Sequence, residues 1–354
     1  MRLLIIENLI SDLKKSRYPL GEYFESNGIK VFYACPNQRS EEGIFHLPLK
    51  RDSLSPKNLI QTVLVLTKIE QQCRVDTVLS FRLVPNVINY FSSFLSKRKR
   101  FVVITGLGFL FISDRVTLRH QVSRTIITRF YRIASKRVTV ISQNIDDLLE
   151  LGLAEPYRVV NGSGLKDDFI SCRTTERQLN LLFVGRLLRS KGIIEAYELF
   201  LLLQKSNKNV KLTIAGERDN KNPDSITEYE LADIVKTKNV EYLGYVADLK
   251  NVFLNSNVLI FPSKYREGVP RVIVEALKFG LTILTYNLPG CKETVTSNGL
   301  LLRPGHFLSD KVVEYLLNLN QEDIHQNSIN SRKLFLEKFS SDVVYKKYYN
   351  IIIE

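Results

Sequence analysis

The sequence predicts an α/β protein made of two Rossmann-like, doubly wound parallel-sheet domains facing across a cleft. Three observations point there. The chain has 354 residues, too many for one ordinary domain and comfortable for two. Short apolar runs alternate with helical patterns from the first residues onward, as parallel strands joined by helical crossovers require. The alternation stops in a polar, weakly periodic stretch at 166–179 and then begins again. An apolar share of 44% supplies enough side chains to bury a core in each half.

In the first domain, 1–165, Arg2–Ile6 reads as a buried strand, and a helix over Pro19–Asn27 ends at Gly28. Val31–Ala34 is the next strand, and Pro56–Gln72 has a helical period. Strands Thr77–Phe81 and Phe101–Ile104 flank a helix at Val84–Ser96. Val138–Ile141, a helix at Ile145–Leu151 and a strand at Tyr157–Val160 close the unit. In the second domain, 180–330, strands are expected at Asn180–Val184, Val210–Ala215, Val240–Leu243, Val258–Phe261, Thr282–Thr285 and Gly299–Leu302. Helices at Gly192–Lys205, Ser225–Thr237, Val246–Asn255 and Arg271–Phe279 separate the first five. The tail, 331–354, carries an amphipathic helix over Ser331–Tyr349, free to return and pack on the first domain.

Four cysteines (Cys35, Cys73, Cys172, Cys291) lie far apart, and no pair has CxxC spacing. The four histidines do not cluster with them. No metal site is expected, and a reduced, cytosolic compartment is. Met1–Ile6 is too short for a signal peptide and is soon followed by Lys14, Lys15 and Arg17. The longest apolar run, Phe101–Ile112, is broken by Thr105, Gly106 and Gly108 and falls short of the roughly 20 residues a spanning helix needs. The expectation is a protein that is soluble or rests on a membrane.

Two motifs carry chemistry. Gly185-Arg186-Leu187-Leu188-Arg189-Ser190-Lys191-Gly192 leaves a buried strand and opens a helix. Backbone N–H groups and the helix dipole favour phosphate at such a place, and Arg186 and Lys191 add two cations. An ordinary solvated loop is the alternative. The second motif runs from Glu267 through Gly268, Val269, Pro270 and Arg271 to Glu275. Gly268 permits close backbone approach, Pro270 suits a helix start, and the two carboxylates suit different hydroxyls of one ligand. A capping Glu followed by a core-edge Glu is the alternative.

The runs "LLFVGRLLRSKGIIEA", "LTIAGE", "VEYLGYVADLKNVFLNSNVLIFPSKYREGVPRVIVEALKFG", "LPGCKETV" and "NGLLLRPG" cover nearly all of 180–305. Together they resemble the nucleotide-sugar half of the large retaining glycosyltransferase family, family 4 or group 1, that includes sucrose synthases and bacterial lipopolysaccharide and capsule transferases. The resemblance implies the GT-B fold and a donor bound mainly by the second domain. It implies that Arg186 and Lys191 neutralise the donor diphosphate in place of a metal, and that Glu275 holds ribose hydroxyls. Glu267 would contact the transferred sugar. Gly244, Tyr245 and Val246 would meet the base, and the amides of Gly268, Val269 and Pro270 would lie near sugar and phosphate, with Gly185 at the turn. No cofactor beyond the nucleotide-sugar co-substrate, a UDP-sugar, is implied, and no Asp-x-Asp motif is present.

The first half resembles a narrower branch, bacterial transferases that extend polyprenyl-diphosphate-linked glycans, through "FRLVPNVINYF", "FVVITGLGFLF" and "VVNGSGLKDDF". Thr105, Gly106, Leu107 and Gly108 form a strand-end loop where open α/β folds bind ligands, and they are the candidate acceptor residues. Many relatives carry a His near this loop; here the stretch is Ile104-Thr105-Gly106. The Lys usual before the Pro-Asn pair is absent, with Arg82 nearby.

The formal charge is +13, of which residues 1–165 hold +10 (24 Lys/Arg against 14 Asp/Glu). Residues 97–137 contain eleven Lys/Arg and one acid, Asp114. Arg119, Arg124, Arg129, Arg132 and Lys136 punctuate apolar positions, as in a cationic amphipathic helix. Lys97–Arg100 precedes a strand and belongs at the opposite sheet edge. The expected partners are a nucleotide-sugar donor, a lipid-linked glycan acceptor and the anionic inner face of the plasma membrane. A surface helix merely rich in Arg is the alternative. Nucleic-acid binding is not expected, since no recognition motif accompanies the charge. No GxGxxG follows the first strand, which argues against an NAD enzyme.

Overall fold

The structure, a computed structural model, describes residues 1–36, 43–49, 55–111, 117–168, 178–206 and 208–354. Cys172, Asp114 and most of the expected linker lie outside the described residues. The chain divides into two compact units, Met1–Lys166 with Ser341–Glu354, and Asp167–Ser340.

The first unit holds a six-stranded sheet: β1 (Arg2–Ile6), β2 (Lys30–Cys35), β3 (Ile44–His46), β4 (Thr77–Phe81), β5 (Lys99–Ile104) and β6 (Thr139–Ser142). The order is β3-β2-β1-β4-β5-β6, every pair parallel. Alternate side chains of β1 serve opposite faces. Leu3 and Ile5 enter one core with Phe81 and Phe101, while Leu4 and Ile6 enter another with Leu66 and Val78. Burial on both faces explains why these strands read as continuous apolar runs.

The crossover helices are α1 (Ile10–Asp12), α2 (Tyr18–Ser26), α3 (Pro56–Gln72), α4 (Leu83–Ser92), α5 (Leu118–Ala134) and α6 (Ile145–Glu150). Side chains of Ser55, Thr117 and Asn144 accept from backbone N–H groups at the starts of α3, α5 and α6, satisfying otherwise orphaned donors. The expected strand at Tyr157–Val160 is reduced to one bridge between Ser142 and Val159. The short β3 has no counterpart among the sequence expectations.

The second unit repeats the plan with β7 (Leu179–Val184), β8 (Val210–Ala215), β9 (Val240–Gly244), β10 (Val258–Phe261), β11 (Thr282–Tyr286) and β12 (Gly299–Leu302), ordered β12-β11-β10-β7-β8-β9. Its helices are α7 (Ile193–Lys205), α8 (Glu228–Lys236), α9 (Lys250–Leu254), α10 (Arg271–Lys278), α11 (Asp310–Asn318) and α12 (Gln321–Leu334). In both units the order reverses beside the first strand. The switch points therefore fall between β1 and β4, and between β7 and β10.

The tail is not one helix. A π turn at Phe335–Phe339 follows α12, and Ser340 is extended (φ −61°, ψ 153°). A separate helix, α13 (Ser341–Ile353), belongs to the first unit. Val344, Tyr348 and Ile352 of α13 are fully buried against the face formed by Leu3, Ile5 and Phe101. Burial of each contributes about 1.5–3 kcal/mol, which is what holds the tail there.

Candidate active site

The second switch point gathers both chemical motifs. The Gly185–Gly192 loop leaves β7, the Pro262–Pro270 loop leaves β10, and these strands are neighbours. Lys191 and Glu267 form an ion pair there, both side chains mostly buried. The Lys191 ammonium also lies over the Tyr265 ring, 4.8 Å from its centroid. The Lys264 N–H donates to the Ser190 carbonyl at 2.8 Å, tying the two loops together through backbone as well. Gly192 has φ +83°, and a Cβ there would stand 2.6 Å from the Pro262 carbonyl oxygen. Only glycine lets the loops approach this closely.

Glu275 lies on α10. Ile273, Val274, Ala276 and Leu277 turn toward the core, and Arg271 and Glu275 share a less buried side, with Arg271 Nε donating to Glu275 Oε1 at 2.8 Å. Pro270 stands just before the helix, at its cap position. Gly290, from the "LPG" run, packs so tightly on the Glu267–Gly268 backbone that a Cβ would meet the Gly268 oxygen at 2.0 Å. Its neighbour Cys291 is fully buried. Burial, and then the charge of Glu267, push its thiol up to about 12.

Arg186 extends from the loop to Asp219, with Nη1 3.0 Å from Oδ2. Asp219 follows β8 and was not among the sequence candidates. Gly216 is a second addition. Its N–H donates to the Gly244 carbonyl at 2.7 Å, and a Cβ on it would lie 1.9 Å from the Gly185 oxygen. Gly185, Gly216 and Gly244 thus form a row of bare backbone across the carboxyl ends of β7, β8 and β9, with Tyr245 exposed beyond it. The structure places all the candidate donor residues along this one edge, from β10 to β9.

In the first unit, Thr105–Gly108 follows β5 at the carboxyl edge, with Gly106 and Gly108 at φ +108° and +68°. The β1/β4 switch point holds a cluster that sequence reading missed. Glu7 is fully buried, Arg17 Nε donates to its Oε2 at 2.9 Å, and Arg82 Nε lies 3.2 Å from its Oε1. Arg82 also pairs with Asp12, and the Arg17 guanidinium stacks 3.6 Å from the Phe81 centroid. Arg82 sits at φ +73°, ψ +163°, a region populated almost solely by glycine.

Of the residues expected to face a membrane, Arg119, Arg129 and Arg132 are exposed on α5, and Lys136 is exposed in the turn just after it. Arg124 instead reaches back to the Leu110 carbonyl, and Arg132 donates to the Leu151 carbonyl at 2.8 Å. Both are anchored within the unit because helix-side carbonyls lie within reach. Among the described residues no helix is long and apolar enough to cross a membrane.

Two parallel six-stranded sheets with flanking helices are the architecture of the GT-B fold. Residues 167–333, which fall in the second unit, match the family Glycosyl transferases group 1. It is 29% identical over 170 residues to the capsular polysaccharide biosynthesis glycosyltransferase CapM of Staphylococcus aureus, covering 47% of this chain and 43% of CapM. It is 32% identical over 169 residues to a 42.6 kDa protein in the cps region of Klebsiella pneumoniae, covering 46% and 42%. The matches thus span less than half the length of these curated relatives. The fold superposes on HepE of Anabaena, solved in complex with UDP, with a TM-score of 0.79 at 14% identity, over 100% of both chains.

Proposed function

We propose that the protein is a retaining glycosyltransferase of bacterial surface polysaccharide synthesis. It moves a hexose or N-acetylhexosamine from a UDP-sugar to a polyprenyl-diphosphate-linked glycan at the inner face of the plasma membrane. One observation carries the reading: Lys191 and Glu267 meet at the β7/β10 switch point, with Arg186 on the same loop. Its cations stand where a departing nucleoside diphosphate gains charge, and preset charge at a leaving group lowers the barrier. Glu275 takes the ribose hydroxyls, and Glu267 the transferred sugar. Gly244–Val246 takes the base, across backbone that Gly185 and Gly216 keep clear. The diphosphate is neutralised by side chains, so turnover is expected to persist in EDTA.

Among the described residues we assign no second carboxylate as a nucleophile for double displacement. The acceptor hydroxyl attacks from the face the diphosphate leaves, and the leaving oxygen takes its proton. The acceptor lies by Thr105–Gly108 and the Arg82 cluster. Leu118 (76% exposed), Val122, Ile126 (62%) and Ile133 form an apolar stripe on α5 flanked by Arg119 and Arg129, which suits a helix lying in a membrane interface.

The test is a panel of UDP-, GDP- and ADP-sugars, scored first by thermal stabilisation and then by transfer to lipid-linked acceptors. Stabilisation by a UDP-sugar and a product of retained anomeric configuration by NMR are expected. Inversion, or stabilisation by none of the three classes, overturns the proposal.

A further inference from the structure

A concavity of the first unit lies at the edge of the sheet opposite the Thr105–Gly108 loop. It has a volume of about 810 Å³ and is lined by the starts of β5 and β6, the end of α5 and the loop after α6. Seven Lys or Arg side chains line it, against one carboxylate, Glu155. A sheet five or six residues deep separates it by roughly 15–20 Å from the carboxyl edge, so no group bound there is the reacting one.

Four of the seven cations have structural work. Arg100 is buried and bidentate to Glu70, with its guanidinium nitrogens 2.9 and 2.8 Å from the carboxylate oxygens. Arg137 donates to the side chain and carbonyl of Ser93, and its guanidinium covers Phe94 at 4.3 Å. Arg132 donates to Leu151 O at 2.8 Å, as cations at helix C-termini do. Lys99 reaches the Ile352 carbonyl. The remaining three, Arg98, Lys136 and Arg158, have no hydrogen bond or ion pair from their side chains to any described residue. Arg98 and Arg158 are only part-exposed, and Arg98 Nε is buried without a partner. A buried, unpaired charged donor is costly, and three like charges facing one basin repel each other. The four anchored cations hold the rim in place, so the repulsion cannot be relieved by swinging the rim away.

We propose that this basin is a binding site for a phosphorylated group carrying two or more negative charges, held by Arg98, Lys136 and Arg158. The site is separate from the donor edge and stands whether or not the protein transfers a sugar. Two arginine forks and a lysine suit a diphosphate or a pair of phosphodiesters better than a single carboxylate. Such a group comes either from a soluble diphosphate or from a lipid headgroup.

Site-resolved lysine acetylation read by mass spectrometry tests this on the full chain. Inorganic pyrophosphate, or phosphatidylcholine vesicles containing cardiolipin, is expected to slow modification of Lys136. Sodium acetate at equal ionic strength and pure phosphatidylcholine vesicles are expected not to. Protection by pyrophosphate identifies a soluble diphosphate as sufficient, and protection by cardiolipin vesicles alone identifies a headgroup. Lys191 reports the donor edge separately in the same spectra, so failure there and failure here are told apart. The Arg98→Ala/Arg158→Ala double variant is expected to weaken the protecting probe roughly tenfold or more, since each lost charge-assisted contact has about that effect. If that variant does not fold, Arg158→Gln alone serves. Equal modification of Lys136 with and without both probes, or undiminished protection in a folded variant, overturns the proposal.

Discussion

Lys191 and Glu267 stand 76 residues apart and pair across the second sheet's switch point, each delivered by the loop that follows one of the two strands flanking it. The pair is mostly buried, so its two charges are screened less than a surface pair and need one another in the absence of ligand. Arg186 with Asp219, and Arg271 with Glu275, repeat the arrangement along the same edge. Each cation or carboxylate proposed to bind a donor is thus engaged in an ion pair that a bound donor would have to reopen.

Reopening gives opposite consequences for the two partners. On the proposed reading Lys191→Ala removes a charge that would meet the leaving group, and turnover is expected to fall about 10²–10³-fold, as when one preset donor is lost from a charged transition state. Glu267→Gln removes the competitor for Lys191. UDP is expected to bind more tightly to this variant, while sugar transfer falls. Calorimetric titration with UDP beside a transfer assay checks this. Weaker UDP binding by Glu267→Gln refutes the competition.

Gly216→Ala probes the backbone row. The new Cβ would come within 1.9 Å of the Gly185 oxygen, and both atoms cannot keep their places. Forced displacement in packed structure costs about 1–3 kcal/mol. The shift lands on the turn that launches Arg186 and Lys191. Denaturant unfolding is expected to show the loss, and donor KM to rise more than kcat falls.

Much of this was legible in the sequence for a physical reason. Strands buried on both faces announce themselves as apolar runs, and the loops rich in Gly, Lys and Glu that follow them stand at the carboxyl edge of the second sheet. What escaped depends on neighbours distant in sequence. β3 is three residues long and paired on one side only, so it leaves no periodic trace. Tyr157–Val160 has a strand's composition, yet only Val159 pairs. The tail keeps its helical pattern through Ser340, where the backbone turns extended and passes to the other unit. Asp219, Gly216 and the Glu7, Arg17, Arg82 cluster acquire meaning only once strand order sets them side by side.

Glu230 links the Gly185–Gly192 loop to α8. It closes a capping box with Thr227 and pairs with Arg189. The Thr227 backbone N–H, and then Arg189, lower its carboxyl to about 2. Because the folded value lies below the unfolded one, its stabilisation is complete above the unfolded value near 4.5 and is lost as pH falls through about 2. Glu230→Gln is therefore expected to be less stable than the parent at pH 7, by roughly 1 kcal/mol for a partly exposed cap, with the difference shrinking toward pH 2. Parallel melts across that range read it directly. A difference that grows on acidification contradicts the assignment.

Arg82 separates strain from charge. Its backbone lies where only glycine is at ease, and its guanidinium reaches Glu7 and Asp12. Arg82→Ala and Arg82→Gly lose the same two ion pairs, and Glu7 keeps Arg17 in both. They differ in that alanine retains the strained φ of +73° and glycine does not. Strain of this kind is worth about 1–3 kcal/mol, against the roughly 0.5–1 kcal/mol that glycine loses through unfolded-chain entropy. Arg82→Gly is thus expected to be the more stable of the two, by about 1 kcal/mol. If the guanidinium serves the acceptor, both variants should lose transfer equally, because neither can supply it. Equal stability of the pair shows that the backbone at Arg82 is relaxed, and wild-type transfer by either removes Arg82 from the acceptor site.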